Sequence, residues 1–190
     1  MMENTDEGLL IERARHDPEA FGELYRRYVT RIYRYHYRHL GNHTEAEDLT
    51  SRTFFQALRA IHRYQSQSGT FQAWLFRIAH NLMANFYRDQ SRHPSVGLDV
   101  MTVSHSLGMN QPDRIEIAEA NQQLLVALAA LPEERKTLIF LKFVEQLSNA
   151  EIAVILGKTE GAIKALYNRT LISLRRALSE GEPHANTNRG

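Results

Sequence analysis

The sequence predicts an all-α protein of two helical domains joined by a flexible linker. Apolar residues recur with the 3.6-residue period of a helix, and strict apolar–polar alternation is absent. The two periodic stretches are parted by about twenty residues with no period, longer than a connection inside one compact domain usually runs.

The first short helical segment lies around Leu9–His16. Asp17-Pro18 then offers an N-cap followed by proline at the first helical position, where its missing N–H costs nothing. Phe21, Leu24, Tyr28, Ile32 and Tyr35 mark the inward face of this helix, and Gly41 is its stop. Thr44-x-x-Glu47 reads as a capping box opening the next helix. Ala46, Leu49, Thr53, Ala57 and Ile61 line its inner face, with Phe54 and Leu58 widening the stripe. After the polar break Gln65–Gly69, Thr70 caps a third helix whose apolar stripe is Phe71, Trp74, Leu75, Ile78, Ala79, Leu82, Met83 and Phe86.

Period is lost from Ser91 to Asp113, where glycine, proline and serine alternate with lone hydrophobics. It returns with Ile117, Asn121, Leu124, Leu125, Leu128 and Leu131. Pro132 breaks and restarts the pattern, with Glu133 and Glu134 in the first turn where the helix dipole favours acids. Leu138, Ile139 and Phe143 continue it to about Glu145, and Ser148-x-x-Glu151 is a further capping box. The domains expected are thus 6–91 and 114–179, with a linker over 92–113 and a polar tail over 180–190.

Composition narrows the function classes. The 190 residues hold 43% hydrophobic and 24% charged residues, a globular balance. With no cysteine, disulfides, thiol catalysis and Cys-ligated metal sites are excluded. No apolar run approaches the length of a membrane span, and the acidic start MMENTDEGLL is unlike a signal peptide, so a cytoplasmic location is expected. The net charge of +1 splits into +2 over residues 1–92, −3 over 93–123 and +2 over 124–190. DNA affinity resting on bulk charge alone is not expected from such a balance.

Ser148–Leu166 has the spacing of a helix–turn–helix. Ala153 is small where a second helix must cross, Gly157 tolerates positive φ in the turn, and Ile163 is a buried aliphatic in the second helix. Ile152, Leu156 and Leu166 complete the interior. The second helix of such a motif enters the major groove, which makes Thr159, Glu160, Lys164, Tyr167, Asn168 and Arg169 the candidate DNA contacts. In the first domain Arg63, Tyr64, Phe71, Trp74, Arg77, Asn81 and Arg88 interleave aromatics with basic and amide groups, a mixture suited to single-stranded nucleic acid. Phe71 and Trp74 sit on the apolar stripe and read first as core, Tyr64 less so. His36, His39 and His43, near Glu45 and Glu47, lack metal-site spacing and read as solvated or hydrogen-bonded side chains. No phosphate loop, nucleophile elbow or kinase signature occurs, so no enzyme activity and no cofactor are expected.

The strings AEDLTSRTFFQALRAIHRY, GTFQAWLFRIAHN, LPEERKTLIFLKF and LSNAEIAVILGKTEGAIKALYNRTLISLRR, in that order, resemble the extracytoplasmic-function (ECF, group 4) sigma factors of the sigma-70 family. The resemblance spans about residues 9–178. It implies two helical domains, regions 2 and 4, and a subunit that directs bacterial RNA polymerase to promoters. It places core polymerase contacts, to the β′ clamp helices, at Asp48, Leu49, Ser51, Arg52, Phe55 and Gln56. It gives the Tyr64–Thr70 loop and the helix after it the melting and reading of a −10 element, with a base unstacked into a pocket. The helix–turn–helix becomes the −35 reader. Promoter DNA, the polymerase β flap and an anti-sigma factor are the further partners implied, with no small-molecule substrate. The same helix–turn–helix also resembles that of response regulators, which leaves an ordinary DNA-binding regulator as the alternative.

Overall fold

The computed structural model describes residues 5–66, 69–92 and 116–180, and among them every regular element is helical. The order is α1 (Thr5–Ala14), α2 (Pro18–Leu40), α3 (His43–Ala60), a 3-10 turn (Ile61–Arg63), α4 (Phe71–Arg92), α5 (Glu116–Ala129), α6 (Glu133–Ile139), a π turn (Phe140–Val144), α7 (Asn149–Leu156) and α8 (Glu160–Glu180). The linker and tail expected from the sequence lie outside the described residues, except that Arg92 closes α4 and Glu180 closes α8.

Helix α2 is the spine of the first half. The Asp17 side chain accepts from Glu19 N–H at its start, and Gly41 ends it in the left-handed region at φ 65°. Its stripe of Phe21, Leu24, Tyr28, Ile32 and Tyr35 is buried as the period requires, with α1, α3 and α4 packed around it. Leu10, Ile11 and Ala14 seat α1 against it, and the Tyr28 hydroxyl donates to Glu7. Truncating a fully buried position such as Leu24 to alanine costs about 2–5 kcal/mol.

Helix α3 begins earlier than the sequence suggests. Asn42, not Thr44, is its N-cap, accepting from Glu45 N–H at 3.1 Å, so Thr44 lies inside the first turn. Asparagine caps as well as threonine and sits directly after the glycine that ends α2. Ala46, Leu49, Thr53, Phe54, Ala57 and Ile61 are buried, whereas Leu58 is exposed. Thr70 caps α4 as expected, taking Ala73 N–H at 3.3 Å. The buried face of α4 also takes in Ala73 and Phe76, because packing on α3 and on α7 widens it beyond one stripe.

In the second half, Ala127, Leu131 and Leu174 form a small core with Leu128, Ile139 and Leu178. Leu124 and Leu125, expected inside, are exposed: α5 contacts α8 through a strip narrower than its apolar residues offer. Past α6 the chain widens into a π turn, with Glu145 N–H donating to the carbonyl of Phe140 five residues back. That extra residue rotates Phe143 and Val144 outward, so Phe143 is exposed rather than part of the inward run. Gln146 follows at φ 55°, a left-handed non-glycine.

The main cluster of buried residues is continuous from α1–α4 into Leu138, Leu141, Ile152, Ile155 and Ile163. The two halves therefore pack against each other, chiefly through α4 and α7.

Candidate nucleic-acid interface

The helix–turn–helix forms as its spacing predicts. Ser148 Oγ accepts from Glu151 N–H while the Glu151 carboxylate accepts from Ser148 N–H at 2.8 Å, a reciprocal cap. Gly157 takes φ 64° with open space around it, so glycine is required by the backbone rather than by crowding. Ile152, Ala153, Ile163 and Leu166 are buried, with Leu156 packed at the edge. Thr159 caps α8, accepting from Ala162 N–H at 3.2 Å.

Of the predicted groove contacts, Thr159, Glu160, Lys164, Asn168 and Arg169 are exposed. Tyr167 is half-buried, its ring 6.3 Å from that of Phe143, which makes it a buttress of the outer face. Lys164 pairs with Glu160 at 2.8 Å, both well exposed. Such a surface pair is worth about 0–1 kcal/mol, so a phosphate or base edge can displace it.

On α4, Arg77, Asn81 and Arg88 are exposed. At about 100° per residue they fall within roughly 40° of one another and form a single basic stripe. Arg63 is exposed on the 3-10 turn. Tyr64 is only 3% exposed, against the weaker expectation of core for that ring. The reason is a three-ring cluster: Tyr64, Phe71 and Trp74 have centroids 5.4–5.6 Å apart. The Tyr64 hydroxyl also closes its own loop by donating to the Gly69 carbonyl at 3.0 Å, and Arg15 holds the Tyr64 carbonyl at 3.0 Å. Phe71 is buried and Trp74 half-buried, so in this conformation the rings shape the loop rather than offer a free stacking platform.

The outer face of α3 exposes Asp48, Ser51, Arg52, Phe55 and Gln56, with Asp48 and Arg52 paired at 3.0 Å. Leu49 is buried at 1% exposure and serves the core, correcting its placement among surface contacts. Phe55 is 60% exposed, with Leu58 beside it and the Arg59 guanidinium over its ring at 5.7 Å. The sequence pattern places Leu58 on the inner stripe, where it is instead exposed, and gives no signal for Arg59. Leu58 lies four residues from buried Phe54 and three from exposed Phe55, so periodicity alone leaves its direction open.

The three histidines go to separate partners. Thr53 donates to the Leu49 carbonyl and so accepts from His36 Nε2–H at 3.1 Å. His39 Nδ1 meets the Tyr35 carbonyl at 2.7 Å and Nε2 lies 2.8 Å from the Thr137 hydroxyl, which itself donates to the Glu133 carbonyl at 2.9 Å. His43 meets the Tyr33 hydroxyl. Burial pushes His36 down to about 3 and His39 down to about 4, so both are neutral.

Polar contacts also join the halves. Arg31 Nε donates to Glu145 at 2.7 Å, Gln72 donates to the Glu145 carbonyl at 3.0 Å, and Thr70 donates to Glu151 at 2.5 Å. Burial pushes the Glu145 carboxyl up, with Arg31 working against it. For Glu151 burial also raises, but hydrogen bonds from Thr70 and Ser148 prevail and hold it below the usual range.

The family model "Sigma-70 region 2" matches residues 24–93, and "Sigma-70, region 4" matches residues 121–174. The chain is 37% identical over 172 residues to the ECF RNA polymerase sigma factor BldN of Streptomyces coelicolor, covering 90% of this chain. It is 30% identical to the ECF RNA polymerase sigma factor SigW of Bacillus subtilis, covering 86% of this chain and 91% of SigW. The chain belongs to the ECF sigma factors. Region 2 takes in most of α2 with α3 and α4, and region 4 takes in most of α5, α6 and α7, and most of α8. The chain spans 65% of the length of BldN. A sigma factor RpoE from Bartonella quintana, solved with the anti-sigma factor NepR, shares the fold at a TM-score of 0.64 and 20% identity, over 85% of this chain and 98% of RpoE.

Proposed function

We propose that this ECF sigma factor binds core RNA polymerase, directs it to promoters with −35 and −10 elements, and helps open the duplex without catalysing a reaction. The observation that carries this reading is the presence of three unlike exposed faces on one chain. These are the apolar Phe55–Leu58 patch on region 2, the Arg77–Asn81–Arg88 stripe on α4, and the Lys164–Asn168–Arg169 face on the recognition helix. A protein–protein contact suits the first, a single strand the second and a major groove the third.

In this reading Asp48, Ser51, Arg52, Phe55 and Gln56 meet the β′ clamp helices, and region 4 meets the β flap. Arg63, Arg77, Asn81 and Arg88 take the −10 strand, while Tyr64, Phe71 and Trp74 hold the loop that receives its unstacked base. Thr159, Glu160, Lys164, Asn168 and Arg169 read the −35 element, with Tyr167 behind them. Region 2 occupies 6–91, the linker 92–113 and region 4 114–179. A net charge of only +1 fits a factor that reads DNA as part of a larger complex, since low free affinity limits non-specific binding. A cytoplasmic anti-sigma protein is a further proposed partner, supported by the company RpoE keeps in its solved complex. No described helix is long and apolar enough to cross a membrane. Reconstitution with core polymerase, followed by run-off transcription from the DNA upstream of its own gene, tests the reading. A protein that shifts duplex DNA specifically without binding polymerase would be an ordinary regulator instead.

A further inference from the structure

We propose that the polymerase-binding face of region 2 runs past α3 onto α2, where Tyr33, Tyr37 and His43 form an aromatic tile, edged by Glu47, that receives an arginine or lysine side chain of core polymerase. This rests on the sigma-factor reading above. Tyr33 and Tyr37 are four residues apart and share one face of α2. The three rings lie nearly parallel. Tyr37 stacks on His43 at 4.3 Å and 26°, while Tyr33 lies 5.9 Å from Tyr37 at 11° and 6.2 Å from His43 at 18°. The Tyr33 hydroxyl also meets His43 Nδ1, which joins the outer face of α2 to the start of α3. Both tyrosines are half-buried and His43 is exposed, so the tile is at the surface.

Charge selects its occupant. Asp48 is paired with Arg52 at 3.0 Å, whereas Glu47 is exposed and joins no ion pair among the described residues. The Glu47 charge bears on the tile: burial pushes the Tyr33 hydroxyl up, and Glu47 pushes it the same way. Arg34 stands about 60–100° round α2 from the two tyrosines, and its charge acts on Glu145 instead. Tyr28, Phe140 and Phe55 each carry a guanidinium of the chain itself at 5.2–5.7 Å, but among the described residues none lies over these three rings. Ring faces attract a cation through their quadrupole, and a carboxylate at the edge adds to the attraction. The same carboxylate repels phosphate. The tile also stands at the opposite end of α3 from the −10 loop, about 25 Å away at 1.5 Å per residue. A protein cation fits where a DNA strand does not. Position names the protein: Glu47 precedes Asp48 and lies one turn from Ser51, so a partner covering 48–56 reaches the tile.

The test measures affinity of the full chain, labelled at its N-terminus, for core polymerase by fluorescence anisotropy. Replacing the pair by Tyr33→Leu and Tyr37→Leu keeps apolar bulk without the rings and should weaken binding about fivefold. Tyr33→Phe with Tyr37→Phe keeps the rings and should bind within about twofold of wild type. Glu47→Lys, a surface change, should weaken binding about tenfold. Circular dichroism checks that each variant folds. A folded leucine pair that binds like wild type would overturn the proposal, and so would a phenylalanine pair as weak as the leucine pair. If the leucine pair does not fold, unchanged binding by Glu47→Lys overturns it. Loss with Phe55→Ala but with no tile variant keeps the sigma-factor reading and drops the tile, whereas no binding by wild type drops both. Unchanged polymerase affinity in the leucine pair, with loss of single-stranded DNA binding or of self-association, would give the tile to a strand or a second copy and equally overturn the proposal.

Discussion

The carboxylate of Glu151 serves two structures at once: Oε2 closes the Ser148 cap of α7, and Oε1 accepts the Thr70 hydroxyl at 2.5 Å from the far half of the chain. One acid thus ties the start of the helix–turn–helix to the start of α4. The fold of the helix–turn–helix and its docking on region 2 share a residue.

Glu151→Ala removes both contacts and should destabilise the chain by about 1–2 kcal/mol, the range for losing a helix cap. Glu151→Gln keeps a residue that suits the capping box and should lose less. Urea melts of the two variants check this, and equal losses would mean the cap contributes nothing.

The buried histidines predict acid sensitivity. His36 and His39 are neutral in the folded chain, pushed by burial to about 3 and about 4, and burial lowers His80 as well. The unfolded chain takes up these protons from about pH 6.5 downward. Stability is therefore complete above about pH 6.5 and falls as pH drops toward 4, by roughly 1.4 kcal/mol per unit for each of His36 and His39, with His80 acting in the same direction. Glu145, raised by burial, opposes this just above the ordinary carboxylate range, one group against three. Melts at pH 7, 6 and 5 should show the decline, and His39→Gln should flatten it. A pH-independent midpoint across that window would contradict the neutral assignment.

The outer and inner faces of α3 should separate binding from stability. Phe55→Ala and Leu58→Ala change exposed side chains, so stability should move by no more than about 0.5 kcal/mol while polymerase binding weakens. Leu49→Ala opens a cavity and should cost about 2–5 kcal/mol. Co-elution with core polymerase alongside thermal melts distinguishes the two. Normal polymerase binding by the Phe55 and Leu58 variants would remove this face from the interface.

On the recognition helix, Lys164→Ala and Arg169→Ala should each weaken −35-dependent initiation by about 1–3 kcal/mol if each loses a base-edge contact. Arg77→Ala and Asn81→Ala should impair promoter opening more than polymerase binding, which permanganate footprinting and co-elution read separately. Native transcript levels in both α8 variants would mean another helix face reads the DNA.

Much of this was legible because it is local. Asp17-Pro18, Gly41, Ser148 with Glu151, and Gly157 each act within one turn of the chain, and each caps or turns as its chemistry dictates. Sequence period also found the inward faces of α2 and α3. It misled where one side chain stands between two choices: Asn42 competing with Thr44 for a cap, and Leu58 set between a buried and an exposed phenylalanine. It failed where the decision is tertiary. Leu124 and Leu125 are exposed although α5 packs on α8, and Tyr64 is buried by rings that lie seven and ten residues on. Arg31 and Glu145 are 114 residues apart, beyond the reach of any periodicity.

Mixing the purified chain with core RNA polymerase and transcribing from the DNA upstream of its own gene tests whether it acts as a polymerase subunit. A stable complex is expected, with transcripts that start at one position and are reduced in Lys164→Ala. Absence of a complex, with specific binding of the free chain to that DNA, would contradict this and withdraw the roles given to α3 and α4.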